Sequence, residues 1–139
     1  MNSYRKLIQI STFCMIVLGF GVTAHADLGE IRDVTSSQAI SRASEVVVLD
    51  VRTAQEFSAG HIANAINVDI GDSAFDQKVD GFDRSKTYLV HCGGNVPKGR
   101  ASKAINILSE KGFSNVENLV GGYVGWISAG GKPVTLAKK

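Results

Sequence analysis

The strongest constraint on the fold is a mostly apolar, β-branched run, Glu45–Val51, which lacks the regular polar alternation of a half-exposed strand. Such a run is typical of a strand buried on both faces, as in a parallel sheet covered by helices. Similar runs recur at Thr87–His91 and Val116–Val120, and a shorter one covers Ala65–Val68. A further short strand is predicted at residues 30–31, ahead of the others.

Helical patterns lie between these runs. A helix is predicted over Ser36–Ala43 behind Thr35, a residue type that caps helix N-termini with its side-chain oxygen. After the first long strand, Thr53 and Glu56 have the spacing of a capping box, in which each side chain bonds the other residue's backbone N–H. A short helix is therefore predicted to begin at Thr53.

The clearest helix is Arg100–Lys111, in which alanine, isoleucine and leucine recur at the spacing of one helical face. Gly112 is suited to end it in the left-handed conformation. A last helix is predicted over Tyr123–Ser128, and the tail from Gly130 to Lys139 is expected to be loose. This alternation predicts an α/β fold of three layers, with a central, mostly parallel sheet of about five strands flanked by helices.

The first 26 residues have the pattern of an export signal. Arg5 and Lys6 precede an apolar stretch that is densest over Phe13–Val22, and Ala24–Ala26 follows with small residues at the two positions a signal peptidase reads. An uncleaved anchor is the weaker alternative, because the apolar run is shorter than the roughly 18 residues of a membrane span. We predict cleavage after Ala26, so that residues 1–26 are a signal peptide and residues 27–139 form one domain.

Removal of the signal changes the charge and the cysteine content. The chain has 15 Lys and Arg and 13 Asp and Glu, and loss of Arg5 and Lys6 would leave the two signs equal. A neutral domain gives no support for a basic nucleic-acid surface. Cys14 would leave as well, and Cys92 alone cannot form an internal disulfide. A single thiol in an exported protein is either reactive or paired with a partner, or else a small buried hydrophobe.

The position of Cys92 favours a reactive thiol. It follows directly on a predicted strand, and ligands of parallel sheets bind at the carboxyl ends of the strands. The glycine-rich loop after it and the N-terminus of the next helix would offer N–H donors to an anion, which favours the nucleophilic thiolate. The candidate ligands of the sulfur and its substituents are the residues of this loop: Gly93, Gly94, Asn95, Lys98, Gly99 and Arg100. No metal site is predicted, because the one cysteine and two histidines of residues 27–139 give no ligand cluster of useful spacing.

Three groups of motifs resemble the rhodanese family of sulfurtransferases, in its single-domain exported form. The first group begins at Leu49–Arg52 and continues with Glu56-Phe57 and Gly60–Ile62; the second is the Cys92 loop. The third comprises Gly112-Phe113, Asn115-Val116, Leu119, Gly121–Tyr123 and Trp126. Together they span most of the chain beyond the signal, in the order and spacing of that family.

The resemblance implies a mechanism. Cys92 would attack the outer sulfur of a small anionic donor such as thiosulfate, become a persulfide, and pass that sulfur to cyanide or a thiol. The amides of Gly93 and Gly94 would hold the persulfide, and Lys98 or Arg100 would bind the donor. The resemblance implies no metal and no organic cofactor. Bacterial relatives of this form suggest the periplasm, without membrane attachment after cleavage and with a protein thiol as a further partner.

Asp50, Arg52 and His61 are interpreted as structural residues near the site. Asp50 and Arg52 are an acid and a base at a strand end, where they can tie loops together by charged hydrogen bonds. His61 is expected to be a hydrogen-bonded scaffold residue, because persulfide chemistry needs no base once the thiolate exists. Strand alternation places His91 on the side opposite to Cys92, so adjacent residues are not expected to form a Cys–His pair.

The cysteine loop departs from the family pattern. Rhodaneses place an arginine five positions after the cysteine, and phosphatases and arsenate reductases of the same fold place it six positions after. Here Arg100 is eight positions after Cys92 and Lys98 is six. Two alternatives therefore stay open beside a sulfurtransferase: a non-catalytic sulfur carrier or interaction module, and a cysteine phosphatase or arsenate reductase.

Overall fold

A computed structural model of the chain describes residues 31–94 and 99–136. The predicted signal peptide with its cleavage site, and the loop residues Asn95 and Lys98, lie outside the described residues. The strands are β1 (Arg32–Val34), β2 (Val47–Asp50), β3 (His61–Ile62), β4 (Ile66–Asn67), β5 (Tyr88–His91), β6 (Val116–Leu119) and β7 (Pro133–Val134). The helices are α1 (Ser36–Arg42), α2 (Ala54–Ala59), α3 (Phe75–Asp80), α4 (Arg100–Glu110) and α5 (Gly122–Ser128).

Five strands form one parallel sheet in the order β1-β6-β5-β2-β4. The central pair, β2 and β5, aligns Asp50 with His91, so both strands end at the same level. The next residue along β5 is Cys92, which therefore lies at the carboxyl edge in the middle of the sheet. The predicted α/β fold with a parallel sheet of about five strands is confirmed.

Side chains that alternate along the strands enter two separate cores. On one face, Tyr88 and Val90 pack with residues of α3 and α4, among them Ala104 and Leu108. On the other face, Leu89 packs with residues of α1 and α5. Burial on both faces explains why the central strands β2 and β5 are apolar at consecutive positions up to their last residues, Asp50 and His91.

Two of the sequence predictions need correction in the described part. The first strand lies at Arg32–Val34, where it pairs with β6, and begins after the predicted residues 30–31. The tail beyond Gly130 was expected to be loose, but Pro133 and Val134 pair antiparallel with His61 and Ile62 in a small second sheet. This pairing joins residues about seventy positions apart, which no local pattern encodes.

Helix α3 was not predicted. It has only six residues, and its N-cap, Ala74, makes no side-chain capping bond. Its two buried residues, Phe75 and Val79, are spaced by one turn, which is too short a pattern to recognise as an amphipathic helix. Within residues 31–94 and 99–136, no helix is long and apolar enough to cross a membrane.

Candidate active site

Cys92 lies where β5 ends, and only 6% of its surface is exposed. Its side chain belongs to the core on the α4 face, and its thiol donates a hydrogen bond to the carbonyl oxygen of Gly94, with Sγ and O 3.2 Å apart. It is the free cysteine of the described residues. The thiol thus sits at the rim of the core, at the carboxyl edge of the sheet.

The N-terminus of α5 holds the backbone of the cysteine loop. The N–H groups of Tyr123 and Val124 donate to the carbonyls of Cys92 and Gly93, with N–O distances of 2.8 and 3.0 Å. Gly122 makes this approach possible. Its φ is +56°, and a Cβ at this position would lie 2.6 Å from the carbonyl oxygen of Cys92. Sequence reasoning noted the Gly-Gly-Tyr motif but missed this contact.

Asp50 and Arg52 form a buried ion pair behind the cysteine. Arg52 Nε lies 3.0 Å from both carboxylate oxygens of Asp50, and Arg52 Nη2 lies 2.6 Å from Oδ2. The same Nη2 donates to the carbonyl of Gly60, and the guanidinium carbon lies 4.1 Å from the centre of the Tyr123 ring. The pair therefore connects the end of β2 with the end of α2 and the start of α5.

His61 is buried beside the same region. Its Nδ1 lies 2.9 Å from the carbonyl oxygen of Phe57, which only accepts, so Nδ1 carries the proton. The imidazole stacks on the Phe57 ring, with centroids 3.8 Å apart. The structure thus places His61 against α2, and it shows no contact between its ring and Cys92.

His91 lies on the α5 face of the sheet, opposite to the Cys92 side chain, as alternation predicts. It is fully buried and stacks against Tyr123. Its Nδ1 is 3.2 Å from the carbonyl of Cys92, whereas Nε2 lies 3.7 Å from an Asp50 oxygen and has no hydrogen-bond partner among the described residues. Burial lowers the pKa of His91 below its usual value, although the Asp50 charge opposes this. The imidazole is therefore neutral at pH 7.

A second ion pair, Glu56–Arg100, borders the cysteine loop. The two groups are bidentate, with Arg100 Nη1 at 2.6 Å from Oε2 and Nη2 at 2.9 Å from Oε1. The hydrogen bonds from Arg100 are the main reason that the pKa of Glu56 falls to about 2, and bonds from Thr53 add to them. The same contact raises the pKa of Arg100. Sequence reasoning named Glu56 as a capping residue and as part of a family motif but did not predict its pairing with Arg100, which is 44 positions away.

The pairing positions Arg100 beside the cysteine loop. A Cβ built on Gly93 would lie 3.5 Å from Arg100 Nη2 and 3.8 Å from a Glu56 oxygen. Gly99 is the N-cap of α4, with extended backbone and no side-chain cap. Of the predicted loop ligands, Gly94 contacts the Cys92 thiol through its carbonyl, and Arg100 lies beside Gly93. Within the described residues, no three His, Cys, Asp or Glu side chains are grouped so that they could hold a metal ion.

A parallel sheet between two helical layers, with a thiol at its carboxyl edge, defines an α/β protein with a cysteine-loop site. The chain belongs to the rhodanese-like domain family, whose family model matches residues 34–129.

The chain is 34% identical to thiosulfate sulfurtransferase 16 of Arabidopsis thaliana over 118 residues, which cover 74% of this chain and 96% of that protein. It is 30% identical to the thiosulfate sulfurtransferase GlpE of Pseudomonas entomophila, covering 73% of this chain and 89% of the relative. The crystal structure of a rhodanese-related protein from Thermoplasma volcanium superposes with a TM-score of 0.67 at 30% identity, covering 76% of this chain and 99% of that one. These similarities extend over nearly the whole length of each relative.

Proposed function

We propose that this protein is a sulfurtransferase that carries sulfane sulfur as a persulfide on Cys92. The donor is a small anion such as thiosulfate, and the acceptor is cyanide or a thiol. The observation that carries the proposal is the position of Cys92 at the carboxyl edge of the sheet, directly after the central strand β5. Two relatives named thiosulfate sulfurtransferase support the same chemistry.

The reaction has two displacement steps without net oxidation. In the first, the Cys92 thiolate attacks the outer sulfur of thiosulfate, an S–S bond forms to Cys92, and sulfite leaves with the electrons of the broken S–S bond. In the second, the acceptor attacks the terminal sulfur and the Cys92 thiolate leaves. No proton transfer by a histidine is required in either step once the thiolate exists.

The contacts around Cys92 fix the position of its backbone and of the Arg100 guanidinium. The bonds from α5 to the carbonyls of Cys92 and Gly93 hold the attacking residue in place before the donor arrives. Arg100 contributes a positive charge next to Gly93, and its pairing with Glu56 keeps the guanidinium at that position. A guanidinium fixed in this way can donate to an anionic donor and to the departing sulfite, with Glu56 compensating most of its charge.

The decisive experiment is the intact mass of the protein before and after thiosulfate. Wild type should gain one sulfur atom, cyanide should remove it, and Cys92→Ser should gain nothing. Thiocyanate formation then measures turnover. If wild type with a free thiol gains no sulfur, thiosulfate is not the donor; hydrolysis of an aryl phosphate would then indicate phosphatase chemistry, and inactivity in both assays would indicate a binding module.

We also propose that the protein is exported to the periplasm by residues 1–26. The charged start, the apolar core and the Ala24–Ala26 site support this proposal. The intact mass of the protein recovered from a periplasmic fraction tests it directly. A chain that begins at Asp27 is expected, and a full-length chain in the cytoplasmic fraction would contradict it.

A further inference from the structure

An open groove lies beside the cysteine loop, between the first turns of α4 and the segment that follows β4. Its volume is about 650 Å³, within the range of sites that hold small organic molecules. It is lined by Thr53, Asp69, Ile70, Gly71, Asp72, Arg100 and Lys103. None of these residues except Arg100 has a part in the sulfur chemistry proposed above.

Arg100 connects this groove with the Cys92 loop. Its guanidinium borders Gly93 on one side, and the same residue lines the groove on the other. The pKa of Arg100 is raised mainly by its hydrogen bonds to Glu56, and the charge of Asp69 adds to this. Arg100 is therefore a wall that the groove shares with the Cys92 loop.

The charges of the groove are only partly compensated. Arg100 is paired with Glu56, and Asp72 Oδ2 lies 2.6 Å from Lys78 Nζ. Of the groove's charged side chains in the described part of the chain, this leaves one cation and one anion without an ion pair, Lys103 and Asp69. One carboxylate oxygen of Asp69, Oδ1, accepts a hydrogen bond from the N–H of Gly71 in the same loop.

One free charge of each sign fits a zwitterion better than it fits a dianion. Thiosulfate would gain from Lys103 but would be repelled by Asp69, so the groove adds nothing to donor binding. Cyanide is too small to use it. A ligand with one carboxylate and one ammonium group can pair with both free side chains.

We infer that this groove binds the sulfur acceptor, and that the acceptor is a thiol of the amino-acid type, such as cysteine or a short cysteine peptide. The inference rests on the proposed function. The carboxylate of the acceptor pairs with Lys103, and the ammonium group of the acceptor pairs with Asp69. Its thiolate attacks the terminal sulfur of the Cys92 persulfide, a new S–S bond forms on the acceptor, and Cys92 leaves as the thiolate, with no oxidant or reductant consumed.

Binding can be measured without sulfur chemistry. We would titrate the ¹⁵N-labelled Cys92→Ser protein with S-methylcysteine, which has no thiol, and with 3-(methylthio)propionate and 2-(methylthio)ethylamine, which each keep one charge. S-methylcysteine should shift the amides of Asp69, Gly71 and Lys103 and bind about three- to fivefold more tightly than either singly charged probe, as expected for an exposed ion pair.

Single substitutions assign each charge. Asp69→Asn should remove the advantage of the ammonium group, and Lys103→Gln that of the carboxylate. Two matched controls, Asp76→Asn and Lys86→Gln, change exposed residues outside the groove and should leave the affinities as in wild type. Equal affinity for the three probes, or the same effect in groove and control variants, would overturn the inference.

A second arm follows discharge of the wild-type persulfide by cysteine, 3-mercaptopropionate, cysteamine and cyanide. The ratio of the rate with cysteine to the rate with cyanide should fall about three- to fivefold in Asp69→Asn and in Lys103→Gln. If thiosulfate and other donors leave no sulfur on Cys92, the proposed function fails and the acceptor role fails with it. If sulfur loads normally but that ratio does not change, only the acceptor inference is overturned.

Discussion

The two edges of the central sheet each carry a buried acid paired with arginine, but the pairs are built differently. At the carboxyl edge, Asp50 and Arg52 are both buried, and the shortest N–O distance is 2.6 Å. At the amino edge, Glu117 is buried while its partners Arg32 and Arg42 are 67% and 31% exposed, at 3.2 and 3.3 Å. Asp50 and Arg52 are therefore desolvated and held by protein contacts, whereas the arginines that pair with Glu117 remain partly solvated.

The difference indicates what each edge requires. An exposed pair contributes little to stability and tolerates movement of its long side chains. A buried pair is costly to desolvate and holds only with good geometry and further hydrogen bonds. Here those bonds extend from Arg52 to Gly60, and the guanidinium stacks on Tyr123, which itself anchors the Cys92 backbone. The rigid pair lies at the edge that carries Cys92.

The largest effect is expected for Asp50→Asn, which leaves the Arg52 charge buried without its counter-charge. We expect a loss of about 3–5 kcal/mol in the free energy of unfolding, measured by urea denaturation. Asp83→Asn changes an exposed carboxylate and serves as the control. A loss below about 1 kcal/mol for Asp50→Asn would show that the carboxyl edge is no more dependent on its ion pair than a surface site is.

Alanine substitutions at two glycines with positive φ distinguish the cost of backbone strain alone from the cost of a steric clash with the Cys92 backbone. Gly112, at the amino edge, has φ +84° and open space around it, so Gly112→Ala should cost only about 1–2 kcal/mol. Gly122 has φ +56° and a Cβ would meet the carbonyl of Cys92, so Gly122→Ala should cost about 1–3 kcal/mol more. The rate of persulfide formation should fall only in Gly122→Ala. Equal stability losses with unchanged rates would disprove the tight contact.

His91 makes the carboxyl edge sensitive to acid. Its pKa is lowered in the folded protein, mainly by burial, while the unfolded chain titrates near 6.5. The unfolded state therefore binds a proton first, and stability is retained above pH 6.5 and lost as the pH falls below it. The limiting slope is about 1.4 kcal/mol per pH unit.

Urea denaturation between pH 7.5 and 5.5 would measure this slope, with His91→Gln as the comparison. The groups that face His91 are Asp50 and Tyr123, with Arg52 behind them. Glu56 does not interfere, because its lowered pKa affects stability only as the pH falls below 4.5. The same slope in both proteins would show that His91 is not responsible.

The smallest effect is expected for Arg32→Gln at the amino edge. Because Arg32 is mostly exposed and Arg42 still faces Glu117, the loss of stability should stay below about 1 kcal/mol. It should shrink further in high salt, which screens exposed charges. A loss comparable to that of Asp50→Asn, measured in the same buffer, would remove the contrast between the two edges.

Local sequence patterns determined most of the fold. The apolar runs at β2, β5 and β6 predicted buried parallel strands, and the capping residues Thr35 and Thr53 do begin α1 and α2. The placement of Cys92 at a strand end followed from the same pattern. These features depend on neighbours within a few residues, so that periodicity and capping chemistry are visible in the chain itself.

The features that only the tertiary structure decided join distant positions. Arg100 pairs with Glu56, Gly122 meets the carbonyl of Cys92, and Val134 pairs with His61. The groove beside Arg100 likewise combines three segments of the chain. A sequence pattern records which side chains can pair, whereas the packing of α4 and α5 against the sheet determines which of them lie within hydrogen-bonding distance.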